Sequence, residues 1–216
     1  IDTFMVTRLG DNALSAVGIG SQFMFLLSIV LFGLFSGFGV FIAQYYGSKD
    51  YTNISKVFMV MLLSGLGFSL LFLGMTQVFP RELLLVFNLN DSPNQEVISL
   101  GVSYLQIIGF SFVTMTISFA INMLARNVQK VLIPSIFQVI GVVLNTGLNY
   151  VLIGGNLGFE AMGVKGAAFA TLISSSFVAV LMISYLFFSK EQALKIQVRS
   201  IKELSVDVLK KWYKTA

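Results

Sequence analysis

The chain has 216 residues, of which 56% are hydrophobic and only 11% charged, and its formal net charge is +4. A water-facing domain carries about 25% charged residues, so this composition excludes an ordinary soluble domain. The absence of Cys and His also excludes disulfides, Cys/His metal sites, thiol nucleophiles and imidazole bases within these residues.

Five runs contain no Asp, Glu, Lys or Arg: 12–48, 57–80, 97–125, 131–159 and 166–189. Each exceeds the roughly 18–20 residues that a bilayer-crossing helix needs, whereas a signal peptide has a single short apolar region. Hydrocarbon offers the backbone no hydrogen-bond partner, so each run must satisfy itself as a helix. The expected helices are 13–45, 56–79, 96–125, 131–153 and 166–188, which make an all-α, polytopic membrane bundle.

The first run is longer than a span requires and should tilt or project beyond the membrane. Its Gly33 and Gly37 form a G-x-x-x-G, followed by Gly39, which predicts close approach of another helix. Pro80, Pro93 and Pro134 are expected at or near helix ends, where a missing N–H costs least. The stretch 88–96, "NLNDSPNQE", has the composition of a Ca²⁺ loop but neither its spacing nor its Gly.

In the third run, Ser111, Thr114, Ser118 and Asn122 recur at helical spacing and share one face. Ser135, Gln138, Asn145 and Asn149 do the same in the fourth. In the fifth, Thr171 and Ser175 are one turn apart with Ser174 adjacent. Such stripes either bond helix to helix or line a polar cavity. Four amides with so much hydrogen-bonding capacity favour the cavity. The final stretch 190–216 is basic, and Val198, Ile201, Leu204, Val208 and Trp212 fall near helical spacing. It reads as a solvated linker, an amphipathic surface helix, or both.

Lys and Arg set the orientation. Alternate connections carry eleven basic residues against three. The positive-inside bias then puts the tail in the cytoplasm and Ile1 outside. An odd number of spans starting outside suggests a missing first helix just ahead of Ile1.

At this point several segments resemble the MATE-type multidrug efflux transporters. "IDTFMVTRLGDNALSAVGIG" resembles their first-to-second helix junction, and "GLFSGFGVFIAQYYGSKD" the end of the second helix. "YLQIIGFSF" and "INMLARNVQK" resemble the fourth helix and its exit. "LNTGLNYVLIGG" and "MGVKGAAFATLISSS" resemble the fifth and sixth. The resemblance implies one six-helix lobe of a two-lobe, twelve-helix transporter: residues 1–189 as the N-terminal lobe and 190–216 as the start of the inter-lobe linker. The C-terminal lobe would be the missing partner. It implies a non-enzyme of the plasma membrane that exports amphipathic organic cations in exchange for H⁺ or Na⁺, without a cofactor and without nucleic acid. By the same resemblance, Asp2, Asn145, Asn149 and Thr171 would bind the coupling cation, and Asn122 would line the lobe cavity. Ser118, Gln138 and Ser175 join that cavity by their place on the stripes. An amide at position 149, where some members carry a second carboxylate, leaves Asp2 as the cluster's only acid. A lipid-linked oligosaccharide flippase shares the layout, but its anionic substrate calls for a cationic cavity. The stripes carry no Lys or Arg.

Overall fold

The computed structural model describes residues 5–87 and 95–195. From residue 11 on, the described residues form seven α-helices in order: α1 Asp11–Gly47, α2 Tyr51–Val78, α3 Pro80–Phe87, α4 Gln95–Ile108, α5 Ser111–Asn127, α6 Leu132–Gly154 and α7 Gly163–Phe188. Short 3-10 turns stand at Thr7–Leu9, Asn156–Gly158 and Gln192–Leu194. The chain is a multi-spanning membrane protein: α1, α2, α6 and α7 are each long and apolar enough to cross, and the bent pair α4–α5 reaches that length and apolarity when the two are taken together. At 37 residues, α1 is about 55 Å long, well beyond the ~30 Å hydrocarbon layer.

Local chemistry sets the ends. Asp50 caps α2, accepting from the Asn53 backbone N–H at 3.1 Å and from Asn53 Nδ2 at 2.6 Å. α1 and α5 each stop at a residue in the left-handed region, Lys49 and Gln129, both at φ 59°. Each permits a tight return into the next helix. α6 ends on Gly155 at φ 68°, a common helix terminus. Pro80 opens α3, where its missing N–H is no loss.

Two expectations needed correction. The third apolar run is not one rod but bends by 47° between α4 and α5. The Phe110 N–H turns to Ile107 at 3.3 Å, so the Gln106 carbonyl loses its helical donor and accepts instead from Gln77 Nε2 of α2 at 2.8 Å. An outside side chain that re-satisfies a freed carbonyl is what a break at membrane depth requires. The other correction concerns Gly33, which is exposed and has nothing near enough to crowd an added Cβ. Close approaches fall at the third glycine of the pattern, Gly39, and at Gly65 of α2. A Cβ at Gly65 would meet the Phe35 ring at 2.6 Å, and one at Gly39 would meet Asn127 Nδ2 at 2.8 Å. A G-x-x-x-G pattern marks a helix face but not the helix that covers it.

Helix α3 was not expected. Leu84 is buried and seats against Gly101 of α4, which holds this amphipathic turn on the bundle. In the core, α1 packs on α2, α4 and α5, while α7 packs on α4, α5 and α6. α6 leans almost wholly on α7. Its other face exposes Ile136, Val139, Ile140 and Val143, an apolar surface suited to lipid.

Candidate functional site

Four helices line an open-sided cavity of about 680 Å³. α1 contributes Ser21, Met24, Leu27, Ser28 and Leu31. α5 contributes Met115, Ser118, Phe119 and Asn122. α6 supplies Gln138, Gly141, Val142 and Asn145, and α7 supplies Thr171, Ser174, Ser175 and Val178. The polar stripes of α5, α6 and α7 therefore face one another, and all four residues expected in the cavity, Asn122, Ser118, Gln138 and Ser175, line it. Gly141 lets α6 come close enough for Val178 of α7 to fill the place of a side chain.

The lining falls into two chemical groups. One is internally bonded. Asn149 Nδ2 donates to Asn145 Oδ1 at 3.1 Å, and Asn145 Nδ2 donates to Thr171 Oγ1 at 3.3 Å. Thr171 in turn donates to the Ala167 carbonyl at 3.1 Å. Asn149 does not line the cavity. It is fully buried behind Asn145, one turn away on the same face. Thr114 and Ser175 share a hydrogen bond at 2.9 Å across α5 and α7. The other group is open. The side-chain amides of Asn122 and Gln138 line the cavity, and no hydrogen bond to either is found among the described residues.

Of the expected cation-binding residues, Asn145, Asn149 and Thr171 are brought together. Asp2 lies outside the described residues, as do the amphipathic pattern beyond residue 195 and the 88–94 part of the acidic loop. Among the described residues no cluster of three or more His, Cys, Asp or Glu could hold a metal ion, and no Lys or Arg lines the cavity. The oxygens of Asn145, Asn149 and Thr171 are hard, neutral donors of the kind that suits Na⁺.

Sequence reading missed the α1 wall. Ser21 and Ser28 are two turns apart with Met24 between them, so a periodic signal existed. Both hydroxyls bond back to their own helix, to Val17 and Met24 carbonyls at 2.8 Å each, and sparse hydroxyls in a long apolar run do not stand out. Met115 and Phe119 were also missed, because an apolar residue at helical spacing looks the same whether it meets lipid or a cavity.

Comparison with known proteins bears on this bundle directly. The family model described as MatE matches residues 1–151. The chain belongs to the MATE family. It is 30% identical over 188 residues to a probable multidrug resistance protein NorM of Agrobacterium fabrum, covering 85% of this chain and 38% of that protein. It is 27% identical to the uncharacterized transporter YisQ of Bacillus subtilis, covering 99% of this chain and 46% of that one. This MATE chain thus spans less than half the length of these curated relatives. The fold agrees with solved structures: an inward-facing multidrug resistance MATE transporter, at TM-score 0.83 and 24% identity, and MATE in the bent conformation, at TM-score 0.85 and 23%. Each comparison covers 99% of this chain and 47% or 46% of the solved one.

Proposed function

We propose that this chain is the N-terminal lobe of a secondary active efflux transporter that exchanges amphipathic organic cations for H⁺ or Na⁺ by alternating access. The single observation that carries the reading is the cavity itself: an uncharged, amide- and hydroxyl-bearing chamber among four helices that are apolar on their outer faces. Polar groups at membrane depth are costly and tend to mark transport pathways. Met24, Met115 and Phe119 give the chamber adaptable apolar walls, which suits a range of flat or greasy substrates. The multidrug resistance names of its relatives support the same substrate class.

In this reading Asp2 is the acid of the coupling site. Asn145, Asn149 and Thr171 supply further oxygens, and Asn122, Ser118, Gln138 and Ser175 face the substrate. Residues 1–189 form the lobe, and a second lobe of similar size completes the transporter in the plasma membrane. The tail faces the cytoplasm and Ile1 the outside. One charge crossing 100 mV yields about 2.3 kcal/mol, which at ~1.4 kcal/mol per tenfold opposes a gradient of roughly 40- to 50-fold. A flippase for an anionic lipid-linked sugar is disfavoured, because the described lining offers no cation.

The test is efflux of a fluorescent organic cation from vesicles that hold the complete transporter, under imposed Na⁺ or pH gradients. Export driven by one of these gradients is expected, and Asp2→Asn is expected to abolish it. Wild-type export by that variant would remove Asp2 from the mechanism. Export indifferent to both gradients would remove cation coupling.

A further inference from the structure

After α7 the chain does not leave the bundle. Residues 189–195 fold back across the end where α1, α5 and α7 finish and α2 and α6 begin. One bond shapes the turn and three contacts hold it there. Ser189 Oγ accepts from the Glu191 backbone N–H at 3.2 Å and shapes the turn. The Glu191 carboxylate meets the Lys130 ammonium of the α5–α6 turn at 2.5 Å. Ala193 and Leu194 enter the main apolar cluster, with Leu194 at 0% exposure. The Lys195 carbonyl then accepts from Ser55 Oγ of α2 at 3.2 Å, and Ser55 is itself buried. The segment therefore starts at α7, passes the α5–α6 turn, and reaches the first turns of α2.

We propose that residues 189–195 form a fixed clamp that ties α2, the α5–α6 turn and α7 into one body at this end, and that the clamp stays closed while the lobe works. The ion pair alone would be a weak tie, since exposed pairs contribute little. The buried Leu194 and the Ser55 bond make the difference, because separating α2 from α7 at this end would pull an apolar side chain into water and break the bond from the Ser55 hydroxyl to the Lys195 carbonyl. The clamp also carries the chain across this end: Lys195 lies beside α2 rather than beneath α7. Access to the cavity then changes by motion of this lobe as a unit, or at the opposite end, and not by splaying α2 from α7 here.

The inference rests on the transport reading, and its test separates the two. The 216 residues contain no Cys, so introduced thiols report cleanly in the complete transporter once cysteines elsewhere are removed. Lys130→Cys with Glu191→Cys, joined by a short bifunctional thiol reagent, should export at the rate of the unjoined pair. Arrest on joining, reversed by cleaving the linker, would show that the strap must open and would overturn the clamp. In parallel, Ala193→Cys should stay protected from a bulky maleimide with and without substrate and ion gradients, while Lys190→Cys labels readily. Labelling at 193 that rises during turnover would overturn the clamp. If Ala193→Cys does not fold, Ser55→Cys, buried under the same strap, takes its place. An unjoined parent that exports nothing would count against the transport reading, and the labelling result would still decide the strap.

Discussion

A methyl group at position 166 has nowhere to go. A Cβ there would lie 2.5 Å from the Leu152 carbonyl oxygen, and a backbone oxygen in the facing helix cannot swing aside. Gly166→Ala should therefore push α7 from α6 and lower stability by about 1–3 kcal/mol, read as a fall in the thermal unfolding midpoint of the purified protein. Gly147→Ala is the control. It sits in α6 with open space around it, so the change should be neutral or stabilising by up to about 1 kcal/mol. Thr114 and Ser175 make a second residue-scale case. Their shared bond spans two helices, and each hydroxyl has one proton, so whichever donates across gives up the bond to its own helix, to the Ser111 carbonyl for Thr114 or the Leu172 carbonyl for Ser175, while the other keeps it. A double-mutant cycle with Thr114→Val and Ser175→Ala should return a coupling near ~0.6 kcal/mol, the usual size for such pairs in membranes.

At the scale of elements, the break between α4 and α5 depends on a glycine and on its neighbours in α2. The place of a side chain at Gly109 is taken by Thr76, a buried residue whose hydroxyl donates to the Leu73 carbonyl at 2.8 Å. Gly109→Ala should displace α2 from the bend and cost about 1–3 kcal/mol. Thr76→Ala, which removes the hydroxyl oxygen in the way, combined with Gly109→Ala should recover part of that loss in the same unfolding measurement. The strap gives a pH prediction. The Glu191 carboxylate, by hydrogen bond and then by charge, holds the Lys130 ammonium above its ordinary 10.5. A lysine whose pKa is raised on folding contributes stability that is complete below 10.5 and is lost as pH rises through the raised value. The difference in midpoint between wild type and Lys130→Met should therefore be flat from neutral pH to about 10 and shrink above it. Both groups are exposed, so added salt should shrink it as well.

For the whole molecule, the cavity's two kinds of polar group should respond differently. Gln138 and Asn122 point unused hydrogen-bonding capacity into the chamber. Gln138→Leu and Asn122→Leu should weaken substrate affinity, seen as a higher apparent KM for export, and leave folding nearly unchanged. Asn145 is bonded to both Asn149 and Thr171. Asn145→Leu would leave a buried amide without that partner, so it should cost stability of about 1–3 kcal/mol as well as coupled export. A result in which Gln138→Leu and Asn145→Leu behave alike would mean that the two groups are not separate.

Much of this was legible in the chain alone. Five charge-free runs, each too long for anything but a span, determined that the protein crosses a membrane as helices, because hydrocarbon leaves the backbone no other partner. The 3- and 4-residue recurrence of Ser, Thr, Asn and Gln determined which faces are polar. It could not say which stripes meet. Asn145 finds Thr171 from 26 residues away, and Thr114 finds Ser175 from 61; those pairings depend on how helices pack. The bend at Gly109 was hidden for the same reason. An apolar run reads alike whether straight or broken, and only Gln77 and Thr76 of another helix make the break stable. Leu194 shows the limit most plainly: one apolar residue in a basic tail carries no periodic signal, yet it is fully buried, because the surface that covers it belongs to segments far away in sequence.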